Sequence, residues 1–179
     1  MPFGLPGDAV DAHGAPWSAV PVKTEIERKF LVTGTMWKTG VRGRRLRQGY
    51  LVIDPQRQVR VRTAGDEAWL TIKGRAEGMR RLEFEYAIPL AHAERLLEEL
   101  CQLPIIDKTR YEVLLGRHTW EIDEYHGANA GLVVAEIELD SEEEHFTLPE
   151  WVGEEVTHDA RYANASLVTL PFCDWADPS

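Results

Sequence analysis

Charged and apolar residues alternate along one segment after another, and this alternation constrains the fold more than any other feature of the chain. In EIERKFLV, residues 25–32, the charged Glu25, Glu27 and Lys29 share one face of a strand, because successive side chains of a strand point to opposite faces. Further strand-like segments follow, bounded by turn residues, at 46–53, 58–64, 68–74, 80–88, 105–115, 118–126 and 132–140. The sequence therefore predicts about eight strands, mostly antiparallel.

Two helices are predicted between and after these strands. Residues 90–103 follow Pro89 and carry apolar residues at helical spacing, which is typical of an amphipathic helix. Residues 159–170 predict a last helix, with Asp159 as its N-cap. Strands in this number with a few helices favour an α+β fold, namely a β-barrel or strongly curved sheet with helices packed on its outside.

The charged residues are also sorted by sign from strand to strand. Two strands carry basic pairs, a third adds one lysine, three carry acidic pairs, and the first strand alone mixes the signs; these residues are Arg60 and Arg62, Lys108 and Arg110, Lys73, Glu83 and Glu85, Glu121 and Asp123, and Glu136 and Glu138. A sheet with one solvated face is the simpler alternative. Such a sheet does not require sorting by sign, whereas a barrel with a polar lumen does. We therefore predict an inside-out barrel with a charged lumen and outward apolar faces.

A lumen with a basic and an acidic wall indicates the chemistry of its ligand. Buried charges are tolerated when they are paired or bind a metal ion. Carboxylate oxygens suit Mg²⁺ or Mn²⁺, and arginine and lysine suit phosphate oxygens. A short polyphosphate bridged to the carboxylates by a divalent cation satisfies both walls, and a single phosphate does not need five or six cations.

Length, charge and the remaining segments narrow the class of protein. The chain has 179 residues and a net charge of −10, which argues against a general nucleic-acid binder. No apolar run has the length of a membrane-spanning helix, and the first residues do not resemble a secretory signal. We expect residues 1–22 to be a flexible tail before a single domain at 23–175. Cys101 and Cys173 show no disulfide or metal pattern, which favours the cytoplasm. The run Glu142–Glu144 is interpreted as solvated acidic surface or the start of a short helix, and the six histidines form no ligand cluster by spacing.

Several short blocks of the sequence resemble those of one known family. EIERK at 25–29 is an E-x-E-x-K motif, and RQGYL, VRVR, TIKG, EFEY, DKTRY, EIDEY, AEIEL and GEEVTHDARYANASL follow in order. In this the chain resembles the CYTH superfamily, also called triphosphate tunnel metalloenzymes, over residues 24 to 170. The closing block is most similar to that of the small bacterial members, which are typically inorganic triphosphatases.

The resemblance implies an eight-stranded antiparallel tunnel that binds a triphosphate and a divalent metal, Mg²⁺ or Mn²⁺. The phosphate ligands that it implies are Lys29, Arg60, Arg62, Lys73, Lys108 and Arg110. The metal-binding wall that it implies comprises Glu25, Glu27, Asp123, Glu136 and Glu138, with Glu83 and Glu85 either binding metal or holding the basic side chains. A lysine–tyrosine pair proposed to activate water in such proteins would be Lys29 and Tyr50. The alternative roles also remain open: Lys29 as a phosphate ligand only, and Tyr50 as an aromatic residue of the barrel wall.

Two further functions are kept open at this point. On the same fold, some members are adenylate cyclases and others hydrolyse thiamine triphosphate, so ATP and thiamine triphosphate are alternative substrates. A non-catalytic module that binds polyphosphate or a nucleotide is the second alternative. We expect a small-molecule triphosphate as partner, no nucleic acid and no membrane, and a homodimer stays open.

Overall fold

The computed structural model describes residues 23–24, 26–77 and 80–175, and a single antiparallel sheet dominates it. The predicted tail at 1–22 and Glu25 lie outside the described residues. The strands are β1 Lys23–Thr24, β2 Glu27–Val32, β3 Arg44–Ile53, β4 Arg57–Ala64, β5 Glu67–Glu77, β6 Arg80–Ala87, β7 Ile106–Leu115, β8 His118–Tyr125, β9 Val133–Glu138 and β10 Val152–Glu155. The helices are α1 Leu90–Glu99 and α2 Asn164–Thr169.

The eight predicted strands correspond to β2 through β9, and two short strands extend the sheet. The order across the sheet is β1-β6-β5-β4-β3-β7-β8-β9-β2-β10, so β1 and β10 form its edges. The predicted antiparallel, strongly curved sheet is therefore confirmed, and its ladder is open among the described residues. β10 was not predicted; its four residues, VGEE, follow Pro149, Glu150 and Trp151 and show little alternation.

The path of the chain brings the two sides of the sheet together. Thr24 pairs with Leu82 of β6, whereas Glu27 pairs with Glu138 of β9, near the other edge. Thr24 and Glu27 are three residues apart, which spans at most about 11 Å of extended chain. The sheet must therefore curl strongly, and the chain itself links its two sides.

Apolar side chains cover the outside of the sheet, as the alternation predicts. α1 packs Ala93 and Leu97 against Val61 and Ala68 of the sheet. A second cluster surrounds Trp120, whose ring centroid lies 5.7 Å from that of Phe30 and 5.4 Å from that of Trp151. The core thus lies outside the tunnel, and the polar faces of the strands turn inward.

The C-terminal segment differs from the single helix predicted at 159–170. Asp159 does cap a turn, since its side chain accepts a hydrogen bond from the backbone N–H of Arg161, but that turn is a short 3₁₀ helix, Ala160–Tyr162. Ala163 is extended, and α2 begins after it. The break lets Tyr162 pack outward on Trp175, while α2 turns Leu167 and Val168 onto the sheet. Within the described residues, no helix is long and apolar enough to cross a membrane.

The close passage of β3 past the end of α1 depends on Gly49. A Cβ atom at this position would lie 2.7 Å from Cys101 Cβ and 2.8 Å from Ile105 Cδ1. Because overpacking forces neighbours apart, we expect Gly49→Ala to lower the free energy of unfolding in urea by about 1–3 kcal/mol.

Gly74→Ala is the matched control for this substitution. Its new Cβ would approach no described atom closer than 3.4 Å, so a loss below about 1 kcal/mol is expected. Equal losses for the two substitutions would contradict the close contact between β3 and the α1 segment.

Candidate active site

The inward faces of the strands enclose a cavity of about 710 Å³ that carries most of the charge of the protein interior. Of the predicted site residues, those that line it are Glu27, Lys29, Tyr50, Arg60, Arg62, Lys73, Glu83, Glu85, Arg110, Glu136 and Glu138. Two others, Lys108 and Asp123, are almost fully buried and do not line it. Most of the predicted residues thus lie around one charged cavity, whereas Lys108 and Asp123 are buried away from its lining.

One wall of the cavity is formed by β4, β5 and β6 and is basic. Arg60 and Arg62 both reach Glu85, with Nη2 to oxygen distances of 3.4 and 3.3 Å. Lys73 Nζ lies 2.7 Å from Glu83 Oε2. Glu83 and Glu85 therefore hold the basic side chains in this conformation, which was one of the two roles considered for them.

Burial and the crowding of positive charge on this wall lower the pKa of Arg62. Burial, the neighbouring Arg60 and the more distant Arg110 together lower the pKa of the Arg62 guanidinium, against the opposing pull of Glu85. The Nε atoms of Arg60 and Arg62 are also buried without a hydrogen-bond acceptor among the described residues. Further negatively charged oxygen acceptors, in addition to Glu83 and Glu85, would satisfy these two Nε–H groups.

The opposite wall, on β2, β7, β8 and β9, joins cations and carboxylates into one network. Lys29 Nζ lies 2.7 Å from Glu136 Oε1 and 3.5 Å from Glu27 Oε1. Arg110 binds Asp123 through two nitrogens, at 2.8 and 2.6 Å, and also reaches Glu121 and Glu136. Because each cation is shared between carboxylates, the charges on this wall are held in a defined arrangement.

The surroundings shift the pKa values of the two lysines of this network in opposite directions. Burial by itself lowers the pKa of Lys29, but Glu136 and Glu27 outweigh it and raise the pKa above its ordinary value. For Lys108, burial outweighs the attraction of Asp123, 2.5 Å away, and lowers the pKa. A general base must be neutral, so the surroundings of Lys29 favour a charged ligand over a base.

The carboxylates of the acidic wall fit a divalent cation by their number and pairing. Glu27 and Glu138 face each other directly across the β2–β9 ladder, and Glu136 lies on the same face. Like charges opposite each other are destabilising, and hard cations prefer such oxygens. Eight carboxylates line the cavity against six lysine and arginine side chains, so a polyanion needs added positive charge to bind. Among the described residues, no three potential metal ligands converge on one point in this conformation. To bind a metal ion, the Glu136 carboxylate would have to turn away from Lys29.

The structure adds residues at one end of the cavity that the sequence reading missed. At the β7–β8 turn, Arg117 and His118 both contact Glu144 Oε1, at 2.5 and 2.6 Å. The interpretation of the run 142–144 as solvated surface is therefore wrong for Glu144, whose side chain is only 7% exposed. Strand alternation gives no signal here, because Glu144 reaches the cavity from a loop. Glu121, by contrast, lines the cavity as its alternation with Asp123 indicates.

Asp123 compensates two buried cations, and removing its charge tests how far the site depends on it. Burial raises the pKa of Asp123, but Lys108 and Arg110 outweigh it and the pKa is lowered. We expect Asp123→Asn to lower the free energy of unfolding at pH 7, with chelator present, by about 3–5 kcal/mol, because breaking a buried pair leaves uncompensated charge. Exposed Asp66→Asn is the control and should change it by less than about 0.5 kcal/mol.

The same pair of proteins should differ in the effect of acid. The folded-state pKa of Asp123 lies below the unfolded value, so its stabilisation is complete above the ordinary carboxyl pKa of about 4 and is lost as the pH falls through the folded value. The difference between wild type and Asp123→Asn should therefore narrow below about pH 4. A difference that stays constant down to pH 3 would contradict the charged pairing.

Comparison with known proteins agrees with this geometry. The CYTH domain family matches residues 23–169. A protein of Acetivibrio thermocellus named inorganic triphosphatase is 48% identical over 148 residues, covering 83% of this chain and 95% of its own. One of Nitrosomonas europaea with the same name is 37% identical over 148 residues, covering 80% and 96%.

A solved structure has the same fold. The crystal structure of an inorganic triphosphatase superposes with a TM-score of 0.61 at 35% identity, covering 82% of this chain and 95% of that one. The match to the family spans nearly all of the described residues and includes all ten strands of the sheet. The chain belongs to the CYTH domain family.

Proposed function

We propose that this protein is a metal-dependent triphosphatase that hydrolyses inorganic tripolyphosphate to pyrophosphate and phosphate in its tunnel. The observation that carries the proposal is the juxtaposition, in one cavity, of Lys29, Arg60, Arg62, Lys73 and Arg110 with the facing carboxylates of β2 and β9. Two relatives that are named inorganic triphosphatases support the reaction. Members of the family are in general metal-dependent.

Phosphoryl transfer to water depends chiefly on positioning and on neutralising the phosphate charge. We propose that Arg60, Arg62 and Lys73 bind the phosphate oxygens from one wall, and that Arg110 and Lys29 bind them from the other. Each of these cations must then be shared between its present carboxylate and the substrate. Lys108, buried behind the wall against Asp123, supports the network in this conformation.

The metal ligands that we propose are Glu27, Glu136 and Glu138, with Mg²⁺ or Mn²⁺ as the ion. When bound, the metal supplies positive charge to the phosphates and lowers the pKa of bound water. Glu25, predicted in the same set, lies outside the described residues.

The surroundings of Lys29 and Tyr50 favour one role for each of these two residues. Lys29 is proposed as a phosphate ligand, because its carboxylate neighbours favour the charged amine. Tyr50 is 4% exposed, lines the cavity and accepts a hydrogen bond from Gln48 Nε2 at 3.4 Å. We propose that its hydroxyl orients the attacking water.

The finer assignments follow the same reasoning. ATP and thiamine triphosphate carry the same phosphate chain and are proposed as secondary substrates. Cys101 and Cys173 are free thiols, which supports a reducing compartment such as the cytoplasm. A homodimer stays a prediction.

The proposed reaction is tested by phosphate release from tripolyphosphate, ATP and thiamine triphosphate with Mg²⁺ or Mn²⁺. We expect the fastest turnover with tripolyphosphate and none after addition of excess chelator. Cyclic AMP formed from ATP would favour the cyclase alternative, and binding without release of phosphate from any substrate would favour the non-catalytic one.

The two walls are tested by one substitution in each. Arg60→Ala should lower kcat/KM for tripolyphosphate by about 10- to 100-fold, the loss of a charge-assisted hydrogen bond. Glu27→Gln should raise the metal concentration needed for half-maximal activity by about 10-fold, as expected for loss of one charged metal ligand.

The controls are exposed residues of the same types outside the cavity. Arg57→Ala, at the start of β4, and Glu98→Gln, on α1, should leave both quantities within about twofold of wild type. Wild-type behaviour of both Arg60→Ala and Glu27→Gln would reject the assignment of the two walls.

A further inference from the structure

Asn164 brings a polar group to the cavity from outside the sheet. It is the first residue of α2 and lines the cavity together with Ala163 and Ala165. Because its two neighbours offer only methyl groups, the amide is the polar group that this segment presents to the cavity. Tyr50 lines the same cavity and packs in the same apolar cluster as Ala165.

A buried tyrosine fixes the orientation of this amide. The Tyr125 hydroxyl donates a hydrogen bond to Asn164 Oδ1 at 2.8 Å, and Tyr125 is only 2% exposed. A tyrosine hydroxyl carries its proton at neutral pH, so Tyr125 acts as the donor in this hydrogen bond. A reversed amide would leave that proton without an acceptor among the described residues.

The consequence concerns the other end of the amide. Since Oδ1 is directed to Tyr125, the two N–H groups of Nδ2 are directed away from it, and within the described part of the chain they donate to no protein acceptor. The cationic side chains of the cavity are all held by carboxylates, whereas this donor is held only through its oxygen. It is therefore available to a ligand without breaking an ion pair.

We propose that Asn164 binds the substrate, with Nδ2 donating a hydrogen bond to a phosphoryl oxygen at the α2 end of the cavity, and that Tyr125 is the positioning residue that orients the amide. This inference rests on the proposed triphosphatase function and adds a neutral, preorganised donor to its charged ligands. Because the donor is neutral, it positions a phosphoryl oxygen without changing the balance of charge between the two walls.

Two substitutions at Asn164 separate this role from a structural one. Asn164→Asp keeps the shape of the side chain and an oxygen for the Tyr125 hydroxyl, but it replaces both N–H donors by a carboxylate oxygen that repels phosphate. Asn164→Ala removes both functions. We expect the KM for tripolyphosphate to rise about 10-fold in Asn164→Ala, and further in Asn164→Asp, with the melting temperature of Asn164→Asp close to that of wild type.

The positioning role has its own test. Tyr125→Phe keeps the ring beneath Lys108 Nζ, which lies 5.5 Å from the ring centroid, and removes only the hydroxyl. KM should rise by about 3-fold, because the amide is no longer fixed, and Tyr125→Phe should add nothing in an Asn164→Ala background. Tyr162→Phe, on the outer face, and Ser166→Ala, on α2 but outside the cavity lining, are matched controls that should keep the wild-type KM.

The outcomes distinguish this inference from the function on which it rests. An active wild type together with a wild-type KM for Asn164→Asp would overturn the role of Asn164 and leave the triphosphatase in place. If wild type releases no phosphate, the proposed function has failed. In that case, calorimetric titration of tripolyphosphate in Mg²⁺ tests the role of Asn164 separately from turnover. Weaker binding by Asn164→Asp than by wild type supports the role, and equal binding overturns it.

Discussion

The compensation of buried charge is the constraint on which this structure depends. Turning the charged face of each strand inward removes lysine, arginine and carboxylate side chains from bulk water, which is costly unless every charge has a partner. Asp123, fully buried against Lys108 and Arg110, is the clearest case. The sorting of basic and acidic residues onto different strands places opposite charges side by side on β7 and β8, where Arg110 lies opposite Asp123. On β8 and β9 two acidic strands are neighbours, and Arg110 reaches carboxylates of both.

The same compensation defines how the site can work. In the described conformation the cations of the tunnel are occupied by carboxylates, so a triphosphate enters by exchange of partners and not by filling a purely basic pocket. Lys29 illustrates the point: the carboxylates that stabilise its charge also make it a poor base. The excess of carboxylates in the lining is the basis for our proposal that metal and substrate share one site.

Much of this arrangement could be predicted because a strand has a period of two residues. Alternation was enough to assign Arg60, Arg62 and Lys73 to one interior face, and the structure places them in one cavity. Alternation does not report depth along the barrel radius, so it could not distinguish Lys108, behind the wall, from Arg110, at its surface. Nor does it extend to loops and short helices. Glu144 and Asn164 reach the cavity through tertiary packing, for which local sequence carries no periodic signal.

The two short edge strands, β1 and β10, have a consequence beyond completing the sheet. An exposed sheet edge is a template on which another chain can add a strand, and very short edge strands are one of the ways in which proteins prevent this. Here the edges are two and four residues long, whereas the inner strands have six to eleven. Among the described residues, β1 and β10 each pair with the neighbouring long strand, β6 or β2, at only two registered positions. Edges of this length offer little template for another strand, which limits edge-to-edge association of the sheet.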